Sequence, residues 1–598
     1  MLVDAMPPID VPLPMENPSL EFYSDAMVEL LRRLDIEYVF LVPGSSYRGL
    51  HDSLVNFGGN RKPRIILCTH EQIAVSMAHG YAKATGRIGV CILHDLVGLM
   101  NGSMGVYNAY GDNAPVMILG GSGPLDPADR RWIDWLHCAS TQADVVKKFV
   151  KWTEEPTTPQ WHLDAIAKAY KIAMTGPRGP VYVTLDCGVQ EQRIDGDCEI
   201  PDTQYYQPSL APAANPQLLE AAANALLNAQ LPLIVGGRFG IRSEGVQALV
   251  DLVELTGALY QDDNAIVGFP TAHPQNVCGD REIVKEADVV VAIDCRDLAS
   301  LLDGYTDKKD FIGSGGFRQG RIVIDMSLNE LVPKSWSGMA GRQPLVDLQI
   351  NCDPLLAMQQ LVSVIRQKLE HDSSARSASQ QRRDKATARH AQVRKRQRAT
   401  ALKGWDDTPI TPARMVAEVW EAVRQKDWLL AMRNQASFPE GVWDFPGAGW
   451  YLGANGGGGV GYGPGAAAGA AIACRDSGKF CVAIMGDGDF AMASGAIWSA
   501  VHNQAPMLLV INNNTTWGND EKHQMHVARE RKRPIENACI GQRMIDPCID
   551  HASVARSHGA WAEGPVINPN DLASVLRAAV SQVEQGRVAV VEVRTQLV

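Results

Sequence analysis

"AIMGDGDFAMASGAIWSAVHNQAPMLLVINNNTTWG", residues 483–518, sets an acidic turn between glycines at the end of one apolar run and three asparagines at the end of the next. The runs "FCVAIM" and "PMLLVI" predict buried parallel strands, and "FAMASGAIWSAVHN" between them predicts their crossover helix. Asp487 and Asn513–Asn514 then close two strands that can be neighbours, at the carboxyl edge where open α/β sheets bind ligands. Asp487 offers a carboxylate, an asparagine side chain a neutral carbonyl oxygen, and the turn a backbone carbonyl. Three oxygens on one side of a hard cation leave the other octahedral positions to phosphate and water, the usual way of holding Mg2+. Gly486 and Gly488 let the backbone come close to that anion, and the amides opening the next helix can donate to it. By itself "GDG" reads as a tight turn. The "NN" pair that follows after 24 intervening residues, at the end of a second apolar strand, makes the pattern specific.

The same alternation of short apolar runs with helix-like stretches extends over the whole chain, whose 598 residues exceed what one core accommodates. The expected fold class is α/β, with three consecutive open, mainly parallel-sheet domains. The first spans 18–190, with strands at "YVFLV", "RIILC", "GVCIL", "VMILG" and "VYVTL". The second spans 206–365, with "LPLIVGG", "VVVAID" and "RIVID", and the third spans 409–598. Residues 366–408 read as a basic linker: from Arg366 to Lys403 there are 12 basic and 3 acidic residues. Without interleaved aromatic residues this stretch reads as a solvated, partly helical connector rather than a nucleic-acid arm.

Composition narrows the function classes. A formal charge of −11 argues against a general nucleic-acid or membrane-surface binder. Twelve cysteines, mostly inside apolar runs and never in a C-x-x-C pair, read as reduced thiols, and with them a cytoplasmic location is expected. The opening "MLVDAMPPIDVPLPMENPSL" lacks the basic start and apolar stretch of a secretion signal, and no run reaches the roughly 18 apolar residues of a membrane span.

The 483–518 pattern resembles the pyrophosphate-binding motif of thiamine diphosphate enzymes. That resemblance implies Asp487, the Asn514 side chain and the Thr516 carbonyl as Mg2+ ligands, with Gly486, Gly488 and Asp489 around the diphosphate. Pro506 and Gly518 match positions shared by benzoylformate decarboxylase and acetohydroxyacid synthase. Upstream, "GGGGVGYGPGAAAGAA", residues 456–471, is similar to the family's glycine-rich segment and places Val460 where a bulky apolar residue bends the cofactor. Gln435, within "RNQASFPEG", is a further cofactor-binding candidate. That stretch departs from the "EGAN" of acyl-CoA lyases.

"RIILCTHEQIAVSMAHGYAKATGRIGVCILHDLVGLMNGSMGVYNAY" resembles the other half of the family's site. Alone, Glu71 reads as an acid compensating a helix dipole. By resemblance it is the glutamate that bonds the aminopyrimidine ring and activates the cofactor. His94, in "LHDLVGLMNGSMG", matches a proton-relaying histidine of benzoylformate decarboxylase. Ser45, in "VPGSSYRGL", matches a serine facing the substrate carboxylate, although Ser45 or Ser46 reads equally as a helix N-cap. "STQADVV", with Gln142, is a weaker echo of acetohydroxyacid synthase.

In family terms the three domains are pyrimidine-binding, central Rossmann-like and pyrophosphate-binding. The resemblance implies a decarboxylase or acetolactate synthase-like carboligase, a lyase or transferase acting on a 2-oxo acid or related carbonyl substrate. It also implies a homodimer or homotetramer whose active sites lie at subunit interfaces, with no nucleic-acid or membrane partner. A 2-hydroxyacyl-CoA lyase and an FAD-containing diketone-cleaving or oxidase member are alternatives, and FAD is left open by "IVGGRFGIRSEG" in the middle domain. From another class, a non-catalytic regulatory subunit would need no ring-activating acid, and Glu71 argues against it.

Overall fold

The computed structural model describes residues 8–263, 266–280, 282–302, 320–331, 344–434 and 438–597. The chain divides into two compact units. The first comprises Met1–Ser209, Asp406–Phe438 and Asn455–Val598, and the second comprises Leu210–Trp405 and Pro439–Ala454. The fold is α/β, with three open parallel sheets among the described residues.

The first sheet contains β1 (Tyr38–Leu41), β2 (Arg64–Leu67), β3 (Gly89–Leu93), β4 (Val116–Ser122), β5 (Trp152–Glu154) and β6 (Val181–Asp186), in the order β2-β1-β3-β4-β6-β5. The central strands β3 and β4 are buried almost throughout, as expected where helices cover both faces of a parallel sheet. β5 is the element the sequence does not announce: a three-residue edge strand, half-buried, with no apolar run. Helix α1 (Glu71–Thr85) starts after His70, whose ring accepts from the Gln72 amide, and stops at Gly86 with φ +69°. Helix α2 (Asp95–Gly111) follows β3 directly. Its Gly98, Gly102 and Gly105 face Glu71 and Val75, so the two helices approach closely.

In the second unit, β7 (Pro232–Gly236), β8 (Leu259–Asp262), β9 (Val289–Ile293), β10 (Ile322–Ser327) and β11 (Leu348–Asn351) form a sheet ordered β11-β10-β9-β7-β8. The basic stretch is more regular than a partly helical connector. It forms one 29-residue helix, α3 (Ser373–Ala401), that buries Ser379, Ala386, Val393 and Ala401 along one stripe. Arg382 donates to the Thr256 carbonyl at 2.7 Å and Arg389 pairs with Asp280 and Glu286, so part of its charge is used within its own unit. Tertiary partners, invisible along the sequence, supply these contacts.

The third sheet, in the first unit, contains β12 (Trp428–Met432), β13 (Phe480–Gly486), β14 (Met507–Asn513), β15 (Trp561–Val566) and β16 (Val588–Arg594), ordered β12-β13-β14-β16-β15. β13 and β14 are neighbours with Gly486 opposite Asn512, so the acidic turn and the asparagines leave the same edge. Helix α4 (Gly463–Ser477) precedes β13, and the crossover is two helices, α5 (Asp487–Ala493) and α6 (Gly495–His502). Helix α7 (Gly518–Glu530) follows β14.

Helices α1 and α4 cross at small residues. A β-carbon on Gly80 would lie 2.1 Å from the Ala466 carbonyl oxygen, and one on Gly469 would lie 2.0 Å from that of Met77. Backbone cannot yield as a side-chain tip does, so Gly469→Ala is expected to destabilise the first unit by about 1–3 kcal/mol. Urea unfolding of the two proteins measures this, and an unchanged midpoint would contradict the crossing. Among the described residues no helix is long and apolar enough to cross a membrane.

Candidate active site

Asp487 opens α5 as β13 ends, and only 3% of the residue is exposed. Its Oδ1 accepts from the Gly488 amide at 3.0 Å, whereas Oδ2 is buried without a hydrogen-bond partner among the described residues. Burial pushes the carboxyl up to about 6, against the smaller opposing pull of neighbouring amides and Arg594. A buried carboxylate oxygen without a donor is costly unless a cation or a proton meets it.

The three asparagines have separate tasks. Asn512 accepts from the Thr595 hydroxyl, and Asn513 donates to Glu592 at 2.6 Å while accepting from the Thr515 amide. Asn514 is only half-buried, and its Oδ1 accepts from the Thr516 amide at 3.1 Å, leaving a lone pair for another partner. Thr515 is held at φ +59°, which turns the chain so that the Thr516 carbonyl follows closely. The Thr516 hydroxyl is occupied by Glu521 at 2.7 Å, and Arg543 pairs with Glu521, so what this residue can offer is the second lone pair of its carbonyl, which already accepts from the Gly518 amide at 2.8 Å. Glu521, Arg543 and Glu592 shape the loop, and no motif marks them in the sequence. A carboxylate, a carboxamide and a carbonyl oxygen at adjoining strand ends suit a hard divalent cation, and the unpartnered Asp487 oxygen is where its charge fits.

Gly488 cannot carry a side chain, because a β-carbon there would meet the Trp517 ring at 2.5 Å; at Gly486 the nearest atom, on Asn434, would be 3.4 Å away. Asp489 turns from the strand edge to the glycine-rich loop. Its Oδ1 accepts from the Gly461 amide at 2.6 Å, and its Oδ2 would touch any β-carbon on Gly463. It thus positions the segment carrying Val460, whose side chain is exposed rather than part of a core. Gln435 lies outside the described residues.

Glu71 is the first residue of α1 and half-buried, and Asn101 of α2 donates to its Oε2 at 3.2 Å. One position on, Gln72 donates to the Val460 carbonyl at 3.3 Å, so α1 and the glycine-rich loop touch within a single chain.

His94 follows the last residue of β3. The hydroxyl that meets it, 2.9 Å from Nδ1, belongs to buried Ser46; Ser45 is exposed, and its carbonyl accepts from Arg131. Gly44 is required here, since a β-carbon would fall 2.3 Å from that of His94. Sequence reasoning passes over a second histidine: His137 Nδ1 lies 3.2 Å from His94 Nε2. Its only sequence signal is position, five residues before "QADVV". Gln142 itself is buried, donating to the Gly121 carbonyl and the Tyr182 hydroxyl. In the second unit, Gly236 and Gly237 are explained by close packing against Tyr260 and Asp294, and Arg238 by its ion pair with Asp294. None of these contacts calls for FAD.

Two family models match the chain: the N-terminal TPP binding domain of thiamine pyrophosphate enzymes over residues 23–143 and the C-terminal TPP binding domain over residues 440–593. The chain belongs to the thiamine diphosphate enzyme family. It is 25% identical to the glyoxylate carboligase of Escherichia coli over 587 residues, covering 95% of this chain and 92% of the relative. It is 30% identical to the acetolactate synthase large subunit of Corynebacterium glutamicum over 261 residues, covering 42% of this chain and 38% of that protein. In fold it is similar to a 4-hydroxybenzoylformate decarboxylase of Rhodococcus jostii, with a TM-score of 0.74 at 19% identity, over 96% of this chain and 99% of that one.

Proposed function

We propose that the protein is a thiamine diphosphate- and Mg2+-dependent enzyme that breaks or forms the carbon–carbon bond beside the carbonyl of a 2-oxo acid. The observation carrying this reading is the buried Oδ2 of Asp487, unpartnered among the described residues, at the strand edge it shares with Asn514 and Thr516. Asp487, the Asn514 carboxamide and the Thr516 carbonyl would hold Mg2+, and the amides opening α5 would donate to the diphosphate. When bound, thiamine diphosphate supplies an electron sink for cleavage next to a carbonyl. Glu71 would share a proton with the aminopyrimidine ring through a carboxyl oxygen, and His94 would move protons to or from substrate. The test is a panel of 2-oxo acids with ThDP and Mg2+, following CO2 release and carboligation products. Turnover without added ThDP by thoroughly depleted protein would sink the proposal.

The proposal includes a dimer, or a dimer of dimers, with sites shared between chains. Supporting it, exposed apolar side chains lie near both halves: Val97 and Met100 on α2 beside Glu71, and Val460 and Met492 near Asp489. A second copy covering them would remove that surface from water. Mixing an inactive Glu71→Gln chain with an inactive Asp487→Asn chain is then expected to restore activity, since one of the two shared sites in a mixed dimer receives both native residues. No recovery after demonstrated subunit exchange would show that each chain is self-contained.

A further inference from the structure

The contact between His94 and His137 has no counterpart among the sequence expectations, and its geometry is specific. With Ser46 at 2.9 Å from Nδ1 of His94, the ring is fixed so that Nε2 faces Nδ1 of His137 at 3.2 Å. The two rings stand nearly perpendicular, at 79°, with centroids 5.3 Å apart. A hydrogen bond between two imidazole nitrogens needs one donor and one acceptor, so only one proton lies between them.

Groups of both signs of charge surround the pair. Asp95 is fully buried, and its Oδ1, which makes no hydrogen bond among the described residues, is 3.3 Å from His94 Nδ1. Asp95 sits at φ +45°, a backbone conformation that a non-glycine residue adopts only when its surroundings impose it. The other groups facing the pair are Glu71 across Gly98, Tyr47, Cys138, and Asp134 with Arg131. Burial first, and Asp95 second, push the Cys138 thiol up to about 11, and burial likewise raises the Tyr47 phenol, so both stay neutral. Burial works against the Asp134 charge, but Arg131 outweighs it and keeps that carboxyl below its ordinary range. The loop carrying His137 is anchored independently: the Gly123 amide meets Cys138 Sγ at 3.0 Å, and Arg131 holds Asp134 at 3.1 Å.

We propose that His137 is a positioning residue that forms with His94 a one-proton imidazole pair and so sets the protonation state of His94 in proton transfer. This rests on the function proposed above. The cationic pair gives one proton to the substrate as His94 exchanges one of its two ring contacts, to Ser46 or to His137, for the substrate atom, and the pair is left neutral; hydronium or a buffer acid then returns one proton through the partly exposed His137.

Sites coupled by more than about one pH unit titrate as a pair. Histidine-selective NMR of the ThDP- and Mg2+-loaded protein without substrate is therefore expected to show His94 and His137 titrating together in two separated steps. His137→Gln, which can accept or donate a hydrogen bond but cannot hold the extra proton, should leave His94 with one step. In turnover, its alkaline kcat limb should move down by about one pH unit, giving roughly tenfold lower kcat at pH 8 with KM changed less than about twofold. His137→Asn serves as second variant, and thermal melting shows that each variant folds. Independent single-step titrations of the two rings, an unchanged pH profile in both variants, or a divalent metal retained on the pair after EDTA would each overturn the proposal. The last outcome is named because ligand-type atoms of His94, Asp95 and His137 lie within 4.8 Å of one another. Coupled titration in a protein that turns over no 2-oxo acid would instead overturn the function and leave the pair standing.

Discussion

Replacing Glu71 by Gln is expected to lower turnover of a 2-oxo acid by about 10²–10⁴-fold, the range associated with losing a positioned acid or base. Gln keeps the volume of Glu and an oxygen to accept from Asn101, which donates to Glu71 at 3.2 Å. It also fits beneath Gly98, where a β-carbon would sit 3.4 Å from the Glu71 side chain. The fold and the proposed metal end are therefore untouched, and only the group able to share a proton is gone. Thermal stabilisation by ThDP with Mg2+ should persist while kcat collapses. Native turnover in this variant would remove Glu71 from the chemistry, and loss of the stabilisation would instead make it a binding residue.

Replacing Asp487 by Asn should produce two effects of opposite sign. In the apoprotein the carboxyl is moved from 3.8 up to about 6 by burial. A folded value above the unfolded one means that the folded state favours the protonated form. The stability from holding that proton is complete below about pH 4 and is lost as pH rises through about 6. The loss is on the order of 3 kcal/mol. Asn removes the charge while keeping the shape, so the variant apoprotein should melt higher than the parent at pH 7.5 and nearly with it at pH 4. The opposite holds once ligand is added. Saturation at 100 times Kd stabilises a protein by about 2.7 kcal/mol, and without the carboxylate most of that gain should vanish. Asp489 is also raised to about 6 but is unchanged in both proteins, so the difference between their melting curves isolates Asp487. Parallel curves with and without ThDP and Mg2+ across pH 4–8 would refute the metal assignment.

Much of this architecture can be read from the sequence because parallel strands buried on both faces require unbroken apolar runs. "FCVAIM" and "PMLLVI" become β13 and β14, and their register brings Gly486 opposite Asn512. The runs "GVCIL" and "VMILG" become β3 and β4 for the same reason. Where burial is partial the signal fades. The edge strand β5 has no apolar run, and α3 buries only about one residue in seven, so its sequence looks like solvated linker.

Residue types at strand ends pointed to a candidate hard-cation and anion site and, by resemblance, to the cofactor family, because the oxygens proposed as ligands are local to two loops. The division of labour among Asn512, Asn513 and Asn514 was decided by the tertiary structure, since Thr595 and Glu592 come from beyond β15. So was the choice of Ser46 over Ser45 beside His94, a matter of which side of one short turn faces the core. The approach of His137 to His94 joins residues 43 positions apart, through a loop tied down by Asp134 and Cys138. Periodicity and motif spacing describe what neighbours along the chain do together. Contacts of this kind exist only after the sheet has brought distant loops to one edge.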